Sequence, residues 1–139
     1  MANKLKKHAE KIKFAIVGGL NTAIDFSILF VLVTMGVPVL ISNYISTSTA
    51  LIFSFFANKK YTFQDHGQFS KSKFATFLVI TLFGLWILQP IIIYSISALL
   101  NSYSFDKNIV LLISKLFATV VTLVWNYLLY RKFVFNKKS

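Results

Sequence analysis

Residues 14–36 read FAIVGGLNTAIDFSILFVLVTMG, 23 residues with a single formal charge at Asp25. At 1.5 Å per residue an α-helix of this stretch is about 34 Å long, enough to cross the ~30 Å hydrocarbon layer of a bilayer. It exceeds the length of a signal-peptide core and no A-x-A-like cleavage site follows, so it reads as a retained span.

Three more apolar runs follow, at residues 39–57 (19 residues), 74–100 (27) and 109–130 (22). Together the four take 91 of 139 residues and leave 48 for tails and connections, too few for a soluble catalytic domain. Composition agrees: 56% of residues are hydrophobic, 14% are charged, and mean hydropathy is +0.68. The expected fold is an all-α integral membrane domain of four transmembrane helices. Cysteine is absent and histidine occurs only at His8 and His66. That inventory excludes disulfides, thiolate nucleophiles and Cys/His metal clusters, and no cofactor is expected. Asp25 has no nucleophile and second acid grouped with it, so no chemical step is expected either.

The net charge of +11 is distributed as membrane topology rather than as a nucleic-acid surface. Lys4, Lys6, Lys7, Lys11 and Lys13 precede the first span, Lys59, Lys60, Lys71 and Lys73 flank the middle connection, and Arg131, Lys132, Lys137 and Lys138 follow the fourth span. An even number of spans puts all three segments on one face. The opposite face holds only the Val37-Pro38 turn and residues 101–108, where Lys107 is offset by Asp106. The positive-inside bias then predicts that both termini are cytoplasmic.

The span edges repeat. Lys11-Ile12-Lys13-Phe14-Ala15 returns as Lys71-Ser72-Lys73-Phe74-Ala75, and Lys59-Lys60-Tyr61-Thr62-Phe63 is echoed by Arg131-Lys132-Phe133-Val134-Phe135. The expected organisation is one membrane domain of two tandem helical hairpins, about 11–63 and 71–135.

Polar residues inside the spans form stripes. Gly18, Asn21, Thr22 and Asp25 keep helical three-and-four spacing, as do Asn43, Thr47, Ala50, Ser54 and Asn58, and then Lys115, Thr119, Thr122 and Asn126. The third span offers only Thr81, Gly84 and Gln89 before an expected kink at Pro90. Small and hydroxyl residues serve helix packing. Charges at mid-membrane depth cost more, about 2.5–3.5 kcal/mol each on insertion scales. Asp25 and Lys115 therefore fit either a structural ion pair or a site for a charged ligand or proton.

The combined pattern resembles the GtrA-like family of small bacterial membrane proteins. It is carried by Phe14, Val17-Gly18-Gly19-Leu20-Asn21-Thr22 and Asp25, by Phe53 through Phe63 with Asn58-Lys59-Lys60 at its centre, and by Lys115 with Trp125-Asn126-Tyr127 through Phe135. Tyr130 stands where the family usually has asparagine, and Tyr61 and Phe133 where it usually has tryptophan. The resemblance implies translocation of a polyprenyl-phosphate-linked monosaccharide from the cytoplasmic to the outer leaflet of the bacterial cytoplasmic membrane, for glycosylation of cell-surface polysaccharide or teichoic acid.

For that task Lys59, Lys60, Arg131 and Lys132 are expected to capture the phosphate at the cytoplasmic rim, and Asn21, Asn58 and Asn126 to bond sugar hydroxyls. Asn43 belongs to the same polar set, Lys115 receives the phosphate farther out, and Asp25 restores neutrality. Expected partners are the lipid-linked sugar, membrane glycosyltransferases and further copies of the chain, with no nucleic acid. Two alternatives are a non-transporting adaptor for a glycosyltransferase and a proton-coupled exporter of hydrophobic cations. Lys115 opposes the exporter, because it repels a cationic cargo.

Overall fold

The computed structural model describes residues 1–136, so Lys137 and Lys138 of the basic carboxyl tail lie outside the described residues. The described residues are helical and contain no strand, with four helices long and apolar enough to span a membrane. The chain divides into two compact units, Met1–Phe69 and Ser70–Ser139.

The first unit is a hairpin of α1 (Ala2–Thr34) and α2 (Val39–Ala57), with α2 continuing into a π-turn, π1 (Asn58–Thr62). The lysine-bearing segment before residue 14, expected as a tail, is the start of α1. Its 33 residues make a helix about 50 Å long, so several turns extend past a ~30 Å hydrocarbon layer. These turns carry lysines and no glycine or proline, which lets the helix persist outside the apolar run.

The hairpin reverses at a Schellman turn. Gly36 adopts φ +88°, its N–H donates to Val33 O, and the Val37 N–H reaches back to Leu32 O. Pro38 then opens α2, where a missing N–H costs nothing. A Cβ on Gly36 would meet nothing within 4 Å, so only the backbone objects to a side chain there. Gly36→Ala is expected to cost about 1 kcal/mol, read as a lowered thermal midpoint with unchanged helix content.

The second unit runs α3 (Lys71–Phe83), a π-turn π2 (Gly84–Leu88), α4 (Gln89–Asn101), α5 (Lys107–Leu129) and a third π-turn, π3 (Tyr130–Val134). Ser70 caps α3 by accepting from the Lys73 N–H, and Asp106 caps α5 by accepting from the Asn108 N–H at 2.8 Å. The break expected at Pro90 is taken up one turn earlier, in π2. The widened turn removes the clash between the proline ring and the preceding carbonyls. Nearby, the Ile80 carbonyl accepts the Trp125 indole N–H at 3.3 Å, a bond from α5 to α3.

Packing uses a strict four-residue stripe. On α2 the buried residues include Ser42, Ser46 and Ala50, and on α5 they include Val110, Ser114, Ala118, Thr122 and Asn126. Small side chains at this spacing let two helix backbones approach, the main source of attraction between helices in lipid. Ser97 donates to Ser114 at 2.9 Å and ties α4 to α5.

Candidate functional site

The three polar stripes meet the structure differently. On α1, Gly18, Asn21 and Asp25 lie on the half-buried face with Phe14 and Val17, while Thr22 turns outward and donates to Gly18 O. On α2 the packed stripe is Ser42, Ser46, Ala50 and Asn58, so Asn43 is exposed and one position off the face expected for it. On α5 the same offset leaves Lys115 exposed beside buried Ser114, while Thr122 and Asn126 are buried as the spacing implied. The physical reason is the period. Helices that pack through small residues every four positions drift away from a 4-3-4 stripe over several turns, and the two patterns coincide only over the part nearer the basic end, from Ala50 on α2 and from Thr122 on α5.

At the basic end of the first hairpin, Phe14 packs on Phe63 with ring centroids 6.4 Å apart, and the Lys13 ammonium lies 5.1 Å from the Tyr61 ring centroid. Counting along the antiparallel helices from that contact, Asn58 lies about 7 Å and Asn21 about 10 Å toward the turn. Asn58 is 2% exposed and donates through Nδ2 to Ser54 Oγ at 3.2 Å.

Among the described residues, five buried side-chain oxygens have no hydrogen-bond partner: Asn21 Oδ1, Asp25 Oδ1, Asn58 Oδ1, Thr62 Oγ1 and Asn126 Oδ1. Four belong to the first hairpin. Buried polar groups are otherwise almost always satisfied, and an orphan costs about 1–3 kcal/mol. All five can accept a hydrogen bond, and only the threonine hydroxyl can also donate. Thr62 has no place in the polar stripes of the sequence. Its four-residue spacing from Asn58 was the available signal, hidden by the π-turn that continues the helix past the apolar run.

The four cations expected at the rim separate into two groups. Lys60, Arg131 and Lys132 are exposed, with the Lys132 ammonium 5.2 Å from the Phe133 ring centroid. Lys59 is 3% exposed and is turned back into its own unit. Its ammonium donates to Asp65 O at 2.9 Å and to Gly67 O, and lies 3.7 Å from the Asp65 carboxylate. The Asp65 carboxylate in turn accepts the Gly67 N–H at 3.0 Å. Lys59 thus holds the loop after π1, while Phe69 at the loop's end packs against Phe55 and Phe56. Lys59→Met removes charge-assisted bonds of about 1.5–3 kcal/mol each. It is expected to speed tryptic cleavage around residues 60–71 several-fold while the helices stay intact, as limited proteolysis of the detergent-solubilised protein would show.

In the second hairpin Asn126 faces the π-turn. A Cβ on Gly84 would meet Thr122 Cγ2 at 3.0 Å, Asn126 Oδ1 at 3.3 Å and Trp125 Cδ1 at 3.4 Å, so the backbone of π2 passes directly over this face of α5. Phe83 stacks on Trp125 at 5.2 Å beside it. One turn nearer the basic end, Tyr130 is buried, its ring 4.7 Å from that of Phe77 and its hydroxyl bonded to Thr81 Oγ1.

A family model for the GtrA/DPMS transmembrane domain matches residues 13–135, nearly the whole described chain. The chain belongs to that family. This GtrA/DPMS domain is a multi-pass membrane protein, and the match begins at Lys13 and ends at Phe135, the two residues that border the basic ends of its hairpins. No curated protein matches the chain.

Proposed function

We propose that this GtrA/DPMS domain moves a polyprenyl-phosphate-linked monosaccharide across the bacterial cytoplasmic membrane, with both termini in the cytoplasm and the sugar destined for cell-surface polysaccharide. It supplies a polar path and no chemical step. The observation that carries the reading is the set of buried oxygens without partners on the first hairpin, Asn21, Asp25, Asn58 and Thr62. In hydrocarbon no water satisfies them, so they call for a ligand rich in hydrogen-bond donors. A sugar has such donors in its hydroxyls, whereas a phosphodiester has none.

Exposed cations at the basic end of each hairpin, Lys60 on the first and Arg131 and Lys132 on the second, attract the phosphate, and an arginine can engage two of its oxygens at once. Lys115, farther along α5, offers the anion a second cation at membrane depth. Asp25, which has no cation partner among the described residues, places an acidic group on the polar face of the first hairpin. The polyprenyl chain stays in lipid throughout.

The test is protection of a polyprenyl-phosphate-sugar from a membrane-impermeant probe in proteoliposomes. Wild type is expected to expose the inner-leaflet pool, with Asp25→Asn and Lys115→Ala at least ~10-fold slower, each having lost an interaction of about 1.4 kcal/mol or more. Wild-type liposomes that behave like empty ones would reject translocation and favour an adaptor that positions a glycosyltransferase.

A further inference from the structure

The basic ends of the two hairpins share a backbone and differ in polar chemistry. Both π1 and π3 are five residues long, closed by Phe63 N–H on Asn58 O at 2.9 Å and by Phe135 N–H on Tyr130 O at 2.8 Å. In this register Asn58 corresponds to Tyr130, Thr62 to Val134 and Phe63 to Phe135, and all six are buried.

In the first hairpin the two polar members, Asn58 and Thr62, each keep an oxygen without a partner. In the second, Val134 has no polar side-chain atom, and the Tyr130 hydroxyl is satisfied. Thr81 donates to Phe77 O at 2.7 Å, so its oxygen is left to accept from Tyr130. Phe77, 0% exposed, and Phe135 pack against the tyrosine ring at 4.7 and 6.4 Å. The π-turn of the first hairpin demands donors from a ligand; that of the second is internally complete, and the unpartnered Asn126 Oδ1 lies one turn deeper, facing Gly84.

We propose that Tyr130 shuts the basic end of the second hairpin, so that the sugar of the lipid-linked substrate is received at the basic end of the first. Tyr130 is a positioning residue in this scheme and Thr62 a direct sugar contact. The assignment of the ligand rests on the translocation reading above. The closure itself rests on the Thr81–Tyr130 pair and its aromatic packing.

The experiment is thermal unfolding of the purified full chain with and without a short-chain polyprenyl-phosphate-sugar. Tyr130→Phe and Thr81→Val are each expected to lower the ligand-free midpoint by a few degrees, with the double variant no lower than the worse single one, because both remove the same bond. Both should keep the ligand-induced rise of wild type. Thr62→Val, nearly isosteric, should keep the ligand-free midpoint and weaken sugar-lipid affinity about 10-fold, the loss of one hydrogen bond to a buried group. A Tyr130→Phe variant that loses the ligand-induced rise would make Tyr130 a ligand contact and overturn the proposal. Additive midpoint losses for Thr81→Val and Tyr130→Phe would also overturn it. A wild type with no ligand-induced rise would reject the lipid-sugar reading, and the comparison of single and double variants would still decide the closure.

Discussion

Gly84→Leu is expected to break the packing of the second hairpin, costing about 3 kcal/mol, the upper end for overpacking a filled interface. Even a single methyl at this position lies 3.0 Å from Thr122 Cγ2 and within 3.4 Å of Asn126 and Trp125, so leucine has nowhere to go unless π2 withdraws from α5. Withdrawal would stretch the Trp125 bond to Ile80 O and part the Phe83–Trp125 stack. Gly84→Ala needs only a few tenths of an ångström from its neighbours and should lower the thermal midpoint slightly. A leucine variant as stable as wild type in a detergent thermal scan would show that the close approach is not required.

Most of the fold was legible because membrane insertion writes it in bulk composition. The run at residues 39–57 coincides with α2, and the basic pairs Lys59-Lys60 and Arg131-Lys132 fall within the π-turns that end each hairpin. Hydropathy did not mark where α1 begins, because lysine is tolerated in a helix outside the bilayer and the apolar run ends before the helix does. The π-turns were not legible either. Only π2 has a proline beside it, at Pro90, and a single five-residue turn leaves no periodic signature in the sequence.

The site was legible in part for the same reason. Asn21, Asp25, Asn58 and Asn126 stand on packed or half-buried faces, as their spacing implied. Asn43 and Lys115 do not, since each lies one residue from a strict four-residue stripe of Ser, Ala and Thr that sets the helix contact. Lys59 is the instructive case. Next to Lys60 in a basic pair it reads as a rim cation, yet the π-turn rotates it inward onto the carbonyls of Asp65 and Gly67. Charge pattern places a cation near a surface; only the backbone decides which way it points.

Asn58→Leu should separate stability from function. Leucine fills nearly the same volume and removes an acceptor that has no partner, so the folded hairpin loses only the 3.2 Å bond to Ser54, whose hydroxyl can turn to its own helix. Replacing an unsatisfied polar group in an apolar setting by an apolar one is neutral or stabilising. The thermal midpoint is therefore expected to hold or rise. Transport is expected to fall at least ~10-fold, because a buried acceptor contributes about 1–3 kcal/mol once a sugar hydroxyl satisfies it. A residue that serves packing alone shows the opposite pairing, lower stability with transport reduced only through abundance. Proteoliposome transport normalised to inserted protein, run beside the thermal scan, distinguishes the two. An Asn58→Leu protein that transports at the wild-type rate would remove Asn58 from the sugar path.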